Sequence, residues 1–301
     1  MNKIIKQKCI FKGVATALVT PFSDGKIDYP SLFSLIENQI ESKIPALVLC
    51  GTTGESPTIT EKEKESLICA VSERIDGRVP LIVGVGTNDT TTTVRLTKFA
   101  SSHGADALLV VTPYYNKGTK NGLVEHYKKI AGETELPIIV YNVPSRTGVD
   151  ISISQMERLA PVNNIVAIKE ASPSIEKAEL FVRSFKDRFA LYSGNDSLTL
   201  PTLAIGGKGV ISVVSNVLPR EMNELCTSFF KGRIKKSREL QLKLLPLINT
   251  LFEETNPAPV KYALSLLNIC KNELRLPLSP VQYPLTDKIK RELFEIVEAS
   301  E

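Results

Sequence analysis

Lys169 stands at the end of an apolar, strand-like stretch, where a charged side chain is unusual. The stretch runs from Ile165 to Ile168 and is too short and too β-branched to predict a helix. Side chains alternate between the two faces of a strand, so Lys169 shares a face with Ile165 and Ala167. If that face is buried, the ammonium loses hydration and the neutral amine becomes a nucleophile toward carbonyl carbon. Considered alone, a surface lysine at a strand end is the commoner interpretation.

Polar side chains follow several other predicted strands in short loops. Residues 51–56 (Gly-Thr-Thr-Gly-Glu-Ser) combine two glycines that permit a tight turn with hydroxyl and backbone N–H groups that can hold a carboxylate. Tyr114 and Tyr115 stand together in another loop, and Tyr141 ends a strand as the lysine does. Arg146 offers a planar guanidinium suited to a carboxylate. Each feature alone also fits a polar loop, a packed loop or a subunit contact.

Together these groups indicate one kind of chemistry, because they supply an amine, phenols, hydroxyls and a binding group for anions. An amine surrounded by phenols, hydroxyls and an anion-binding group can form an imine with a 2-oxo acid. The protonated imine withdraws electrons, so that C3 loses a proton and an enamine results. The enamine then attacks an aldehyde, or the reverse reaction cleaves an aldol, and phenols can transfer protons at each step.

The elements that must position these residues are eight short apolar stretches, which predict strands. Their continuous apolar character, without alternation, indicates burial on both faces. Amphipathic segments with helix-start residues separate most of them, for example the capping box at residues 60–63 and Ser174 before residues 175–185. The predicted strands are residues 14–19, 46–50, 80–85, 107–111, 137–141, 165–169, 189–192 and 210–214.

Strands that alternate with helices predict a parallel α/β protein, and eight of them favour a closed (β/α)8 TIM barrel. The alternative is a doubly wound open sheet, which requires a Gly-rich phosphate turn that residues 20–25 do not match. Beyond the eighth strand the pattern is helical, with predicted helices at residues 224–230, 234–252, 259–268 and 286–298. We therefore expect a catalytic barrel over residues 1–218 and a C-terminal helical subdomain over residues 219–301.

Composition excludes several classes of protein. The 301 residues are 43% hydrophobic, enough for a large core, and 37 basic against 33 acidic residues give a scattered charge of +4 that does not predict nucleic-acid binding. No segment reaches membrane-spanning length, and residues 1–8 lack the apolar stretch of a signal peptide. Five spaced cysteines without a CxxC pair, and two histidines, argue against a disulfide framework or a zinc site. We expect a cytoplasmic protein without metal or membrane partner.

Seven short motifs carry a resemblance to a known family. They are Phe-Lys-Gly at 11–13, Thr-Ala-Leu-Val-Thr-Pro-Phe at 16–22, Gly-Thr-Thr-Gly-Glu-Ser at 51–56, Pro-Tyr-Tyr at 113–115, Tyr-Asn-Val-Pro-Ser-Arg-Thr-Gly at 141–148, Lys-Glu at 169–170 and Gly-Val-Ile-Ser-Val at 209–213. With these motifs the chain resembles the dihydrodipicolinate synthase family, within the pyruvate-aldolase superfamily that includes N-acetylneuraminate lyase. The Ser-Arg-Thr-Gly segment is the most telling, since it marks the synthase branch.

The resemblance implies a lyase of lysine and diaminopimelate biosynthesis that uses a covalent lysine imine and no other cofactor. Lys169 would condense with pyruvate, and Tyr141, Thr52 and Tyr115 would relay protons. Tyr115 would reach across from a neighbouring subunit, and Tyr114 would belong to the same interface. The assembly implied is a homotetramer built as a dimer of dimers.

The resemblance also implies the residues that bind the two substrates. Thr53 would help hold the pyruvate carboxylate, and Arg146 would bind the carboxylate of aspartate semialdehyde at the mouth of the site. Gly194 and Ile211 match positions that line the pyruvate pocket. The product implied is 4-hydroxy-tetrahydrodipicolinate.

One departure from the family concerns feedback inhibition by lysine. Members that lysine inhibits usually carry histidine shortly after the Gly-Thr-Thr-Gly-Glu-Ser loop and glutamate after the third strand, whereas this chain has Glu61, Lys64 and Thr92 at the matching positions. A cationic effector would lose a carboxylate and meet a like charge, so we expect weak or absent inhibition. The effector-site residues that remain are Ser56, Asn88 and Tyr114.

Two other functions stay open. One is a different pyruvate-dependent aldolase, cleaving N-acetylneuraminate or a 2-keto-3-deoxy sugar acid. Arg146 and the tyrosine pair at 114–115 argue against it, because a sugar-acid site needs groups that recognise hydroxyls. The other is a non-catalytic barrel that binds a 2-oxo acid, which would leave the set of polar strand-end residues without a catalytic use.

Overall fold

A closed barrel of eight parallel strands forms the body of the protein, which the computed structural model describes from residue 9 to residue 298. Each strand pairs with the strands before and after it in the chain, and the eighth pairs with the first. The strands are β1 Gly13–Ala17, β2 Ala46–Leu49, β3 Leu81–Gly84, β4 Ala107–Val111, β5 Ile138–Asn142, β6 Ile165–Glu170, β7 Ala190–Ser193 and β8 Gly209–Ser212. The predicted fold class, a TIM barrel followed by C-terminal helices, is confirmed. The segment considered for a signal peptide, residues 1–8, lies outside the described residues.

Helices cover the outside of the barrel between the strands. They are α1 Tyr29–Glu41, α2 Glu61–Ile75, α3 Thr90–Ser102, α4 Lys120–Ala131, α5 Pro144–Thr147, α6 Ile153–Leu159, α7 Ile175–Phe185 and α8 Thr199–Ala204. A small hairpin, Phe22–Ser23 with Lys26–Ile27, follows β1. The predicted capping box forms at the start of α2, where the Thr60 hydroxyl accepts from the Glu63 N–H and the Glu63 carboxylate accepts from the Thr60 N–H. Within residues 9–298, no helix is long and apolar enough to cross a membrane.

Four further helices follow the last strand: α9 Pro219–Phe230, α10 Ile234–Thr250, α11 Ala258–Leu266 and α12 Leu285–Glu298. Helix α9 packs against β1, where Cys226 lies beside Gly13, and α10 packs on α9 and α12. The turn between α10 and α11 lies at the barrel mouth, next to residues that follow the strands. The division into a barrel and a subdomain at residue 218 stays a prediction.

The barrel interior is closed at the end opposite the loops that follow the strands. Tyr192 of β7 stacks on Phe11 with ring centroids 4.2 Å apart, and its hydroxyl donates to the Phe11 carbonyl at 2.9 Å. Small and branched apolar side chains such as Ala15, Ala167 and Ile139 fill the space above these rings. This packed interior leaves only the C-terminal ends of the strands free to form a site.

Candidate active site

Lys169 and Tyr141 lie side by side at the C-terminal ends of β6 and β5. The two residues are direct partners in the parallel register. The side chain of Lys169 is 7% exposed, and its Nζ lies 4.2 Å from the centroid of the Tyr141 ring. An ammonium at this distance is attracted by the ring face. The charge at the strand end therefore points into the barrel mouth and not outward to solvent.

A cavity of about 930 Å³ opens above Lys169 at this end of the barrel. Loops after several strands line it, and so do residues of the turn between α10 and α11 and of residues 277–279. Of the residues that the sequence singled out, it is lined by Thr52, Thr53, Tyr141, Arg146, Lys169 and Gly194.

Gly194 allows the lysine to lie where it does. A Cβ at this position would lie 2.5 Å from the Cβ of Ala171 and 3.1 Å from the Cε of Lys169. A side chain here would therefore displace the lysine arm. Ile211 is fully buried in the apolar cluster inside the barrel, which also includes Tyr141.

The loop at residues 51–56 follows β2, and its Gly51, Thr52 and Thr53 line the cavity. Thr53 is buried, and its Oγ1 accepts from Asn256 Nδ2 at 3.0 Å. The Gly54 carbonyl accepts from the hydroxyl of Thr20 at 2.8 Å. Burial raises the pKa of the neighbouring Cys50 to about 12, so this residue is a packed thiol and not a thiolate.

Arg146 lies at the cavity mouth on the short helix α5. The side chain is exposed, and Nη2 donates to the Asn256 carbonyl at 3.2 Å. Asn256 thus contacts both the loop hydroxyl and the guanidinium. The sequence analysis missed Asn256, because it belongs to the α10–α11 turn and follows no strand.

Two buried hydrogen-bond networks lie at the C-terminal ends of the strands. The buried Glu170 carboxylate accepts from Asn142 Nδ2 at 3.1 Å and from the Ser172 N–H at 2.7 Å, and Lys177 Nζ lies 3.3 Å away. The Asp196 carboxylate accepts from the Val213 N–H at 2.9 Å, and burial raises its pKa. Sequence reasoning missed both networks, although Glu170 belongs to the quoted Lys-Glu motif and Asp196 follows a glycine-containing strand end.

The tyrosine pair is divided between two environments. Tyr114 is half-buried, and burial raises its pKa. It lines a second cavity of about 200 Å³ together with Ser56 and Lys64. Tyr115 is 91% exposed and has a left-handed backbone φ of 67°, so its ring is not brought to the cavity of its own chain.

Three other residues at positions implied for the effector site, Asn88, Glu61 and Thr92, do not line the second cavity. The Asn88 carbonyl accepts from Asn116 Nδ2 at 3.0 Å. Glu61 forms an ion pair with Arg95 on the surface. The Thr92 N–H donates to the Asp89 carboxylate, which caps the start of α3.

No cluster of three or more His, Cys, Asp and Glu side chains within residues 9–298 is arranged to hold a metal ion.

Comparisons with known proteins agree with this geometry. A family model described as the dihydrodipicolinate synthetase family matches residues 10–299. A 4-hydroxy-tetrahydrodipicolinate synthase of Thermotoga sp. (strain RQ2) is 48% identical over 290 residues, which cover 95% of this chain and 99% of the relative. The crystal structure of dihydrodipicolinate synthase from Thermotoga maritima superposes with a TM-score of 0.92 at 48% identity, covering 95% of this chain and 99% of the other. A dihydrodipicolinate synthase variant described as the first monomeric one gives the same TM-score and identity, covering 95% of this chain and 97% of the other.

Proposed function

Because the chain belongs to the dihydrodipicolinate synthetase family of lyases, we propose that it condenses pyruvate with L-aspartate 4-semialdehyde. The product is 4-hydroxy-tetrahydrodipicolinate, at the first committed step of lysine and diaminopimelate synthesis. One observation carries the proposal: a buried lysine and a tyrosine form the floor of a cavity whose mouth holds an exposed arginine.

The first step is imine formation at Lys169. Its Nζ attacks C2 of pyruvate, and the carbonyl oxygen leaves as water. The hydroxyl and backbone N–H groups of Thr52 and Thr53 hold the pyruvate carboxylate beside the strand end. Gly194 lines the cavity beside the Lys169 arm, and we assign Ile211, which is buried in the apolar cluster with Tyr141, to the wall of the space that the methyl group occupies. This step is supported by the burial of Lys169 and by its position in the lining of the cavity.

The second step joins the two substrates. C3 of the imine loses a proton, and the enamine attacks the aldehyde carbon of the semialdehyde. Arg146 binds the carboxylate of this second substrate, because its guanidinium is the planar cation that lines the cavity mouth. Attack of the substrate amino group on the imine carbon then closes the ring and releases Lys169. Tyr141, Thr52 and Tyr115 of a neighbouring subunit transfer the protons.

The proposed assembly is a cytoplasmic homotetramer made of two tight dimers. Its support in this chain is Tyr115, whose ring lies in solvent beside the half-buried Tyr114. A second copy of the chain would cover both rings.

Borohydride trapping tests the proposed chemistry. Incubation with pyruvate and borohydride is expected to leave a reduced adduct on Lys169 that mass spectrometry locates. The variant Lys169→Arg should lose the adduct, whereas Lys64→Arg, the same change at a half-buried lysine of the second cavity, should keep it. Absence of any adduct on the wild-type chain would favour a binding barrel without catalysis.

The same adduct distinguishes condensation with aspartate semialdehyde from cleavage of a sugar acid. Addition of aspartate semialdehyde before the reductant should consume the imine and protect Lys169 from reduction, with release of the cyclic product. Release of pyruvate from N-acetylneuraminate, with no turnover of the semialdehyde, would instead identify a sugar-acid aldolase.

A further inference from the structure

The loop that carries Thr52 and Thr53 has a backbone that is not favourable by itself. Cys50 before the loop and Glu55 at its end both have φ near 55°, in the left-handed region that disfavours residues with a side chain. Strained residues of this kind persist only where surrounding contacts determine the conformation. Contacts from outside the loop must therefore hold it.

One such contact is a buried ion pair. Glu55 Oε1 lies 2.5 Å from Lys261 Nζ, and neither side chain has any exposed area. Lys261 belongs to α11, so the pair joins the end of the loop to the C-terminal helices. The other carboxylate oxygen of Glu55 accepts from the Arg275 N–H at 3.1 Å.

The lysine is itself held from two further sides. Its Nζ donates to the Glu273 carbonyl at 2.8 Å and lies 4.1 Å from the ring centroid of Phe22. The guanidinium of Arg275 lies 4.5 Å from the same ring. Two cations from the C-terminal region thus flank one buried ring next to the loop.

A second link runs in parallel to the ion pair. Asn256, two residues before α11, donates to Thr53 Oγ1 at 3.0 Å. Movement of α11 relative to the barrel would therefore shift the Thr53 hydroxyl and the Glu55 backbone together.

The energetics of this pair favour a role in geometry over a role in stability. Desolvation of two buried charges costs about as much as their attraction returns, and an apolar pair of similar volume often folds as well or better. The pair fixes a buried negative charge beside a buried positive charge, so Glu55 cannot move away from Lys261 without leaving an unpaired charge in the interior. The pair lies at the strained end of the loop that faces the cavity, where a shift of Glu55 would also move Thr52 and Thr53.

We propose that Glu55 and Lys261 are positioning residues of the active site, whose ion pair fixes the loop so that Thr52 and Thr53 face the substrate carboxylate. The identity of that carboxylate, a 2-oxo acid, rests on the proposed function. Neither residue touches the substrate, and both act through the loop.

The test compares Lys261→Met and the double variant Glu55→Gln with Lys261→Met against Lys271→Met. Lys271 lies in the same C-terminal region and pairs with Asp24 on the surface, so its variant removes the same charge without contact to the loop. Amide hydrogen exchange of residues 51–56 reports loop positioning. The pyruvate concentration that gives half-maximal trapping on Lys169 reports how loop positioning affects pyruvate binding.

Lys261→Met is expected to speed exchange in residues 51–56 and to raise the half-maximal pyruvate concentration about tenfold, the effect of one misplaced hydrogen bond to a charged group. The KM for the semialdehyde should change much less, a split that general loss of stability would not produce. In the double variant no uncompensated charge remains, so its unfolding midpoint should recover while both changes persist. Lys271→Met should resemble the wild type.

The proposal is overturned if a folded Lys261→Met protein exchanges the amide hydrogens of residues 51–56 at the wild-type rate and also needs the wild-type pyruvate concentration for half-maximal trapping. If that variant does not fold, the same result in the double variant overturns it. If the wild-type chain traps no pyruvate, the proposed function fails, and hydrogen exchange alone then decides whether the pair positions the loop.

Discussion

At the scale of single residues, the cavity offers two cations in different environments. Lys169 is buried against the Tyr141 ring, whereas Arg146 is exposed at the mouth. An amine can form a covalent bond to a carbonyl carbon, whereas a guanidinium binds a carboxylate through two parallel hydrogen bonds. The two residues therefore suit different carboxylate substrates, one held covalently at the floor and one by charge at the mouth.

The position of Lys64 leads to a prediction about inhibition of the enzyme by L-lysine. Its half-buried side chain lines the second cavity, and no Asp or Glu is among the described residues that line it. A lysine molecule entering there would meet a like charge without a compensating carboxylate. We expect little loss of activity in steady-state assays with millimolar L-lysine, and greater sensitivity in the double variant Lys64→His with Thr92→Glu. Strong inhibition of the wild type at sub-millimolar lysine would contradict this.

The residues at strand ends could be predicted from sequence, and the residues that support them could not. In a parallel barrel the ends of all strands meet at one face, so Lys169, Tyr141 and the 51–56 loop converge once the fold is known. Asn256 is separated from Thr53 by 203 residues, and no local pattern indicates their contact. The pairing of Glu55 with Lys261 is likewise a product of tertiary packing alone. The catalytic roles assigned to these residues stay predictions.

At the scale of elements, helix α4 shows what holds the outer layer to the barrel. The Tyr127 hydroxyl donates to the carbonyl of Val110 on β4 at 3.0 Å. The adjacent His126 turns toward α3, where its Nδ1 lies 2.9 Å from the Thr90 hydroxyl. Its Nε2 is buried without a hydrogen-bond partner. Adjacent residues of one helix thus bind a strand and a neighbouring helix.

His126 predicts a loss of stability in mild acid. Burial lowers its pKa from 6.5 to about 4, so the unfolded chain takes up a proton between these values and the folded chain does not. The free energy of unfolding should then be about 2 kcal/mol lower at pH 5 than at pH 7.5 by linkage. Urea unfolding at the two pH values measures it. His126→Gln should reduce this difference, and the same change at the exposed His103 should not; equal behaviour of the two variants would contradict the assignment.

The alternation of strands and helices could be predicted because it depends on local pattern. The predicted segment at 165–169 is β6 with one residue added, and helix α7 begins after Ser174, as its capping residue indicated. The sequence pattern gave no bounds for helix α4, although the predicted (β/α)8 fold implies a helix there. It contains Gly122, which disfavours a helix, and its stability comes from packing of buried residues such as Tyr127.

At the scale of the whole molecule, the active site is not contained in the eight strands and their loops. The barrel supplies the amine, the phenol and the hydroxyls, while the C-terminal region supplies Asn256 from a turn and Lys261 from α11. Tyr115 extends in the other direction, away from its own cavity. A complete site thus requires the C-terminal region for positioning and, in the proposed mechanism, a second chain for one phenol.

Tyr115 makes the proposed contact between chains testable by complementation. Lys169→Ala lacks the amine, and Tyr115→Phe lacks the phenol, so each variant alone should be nearly inactive. When subunits exchange at random in an equal mixture, a mixed dimer has one site with an intact lysine and a partner's intact tyrosine, and about a quarter of wild-type activity should return. The control is wild type mixed with Lys169→Ala. Its activity should equal that of the wild-type chains it contains, with no increase from subunit exchange. If native mass spectrometry shows mixed dimers and activity stays at the sum of the separate variants, Tyr115 does not act across the interface.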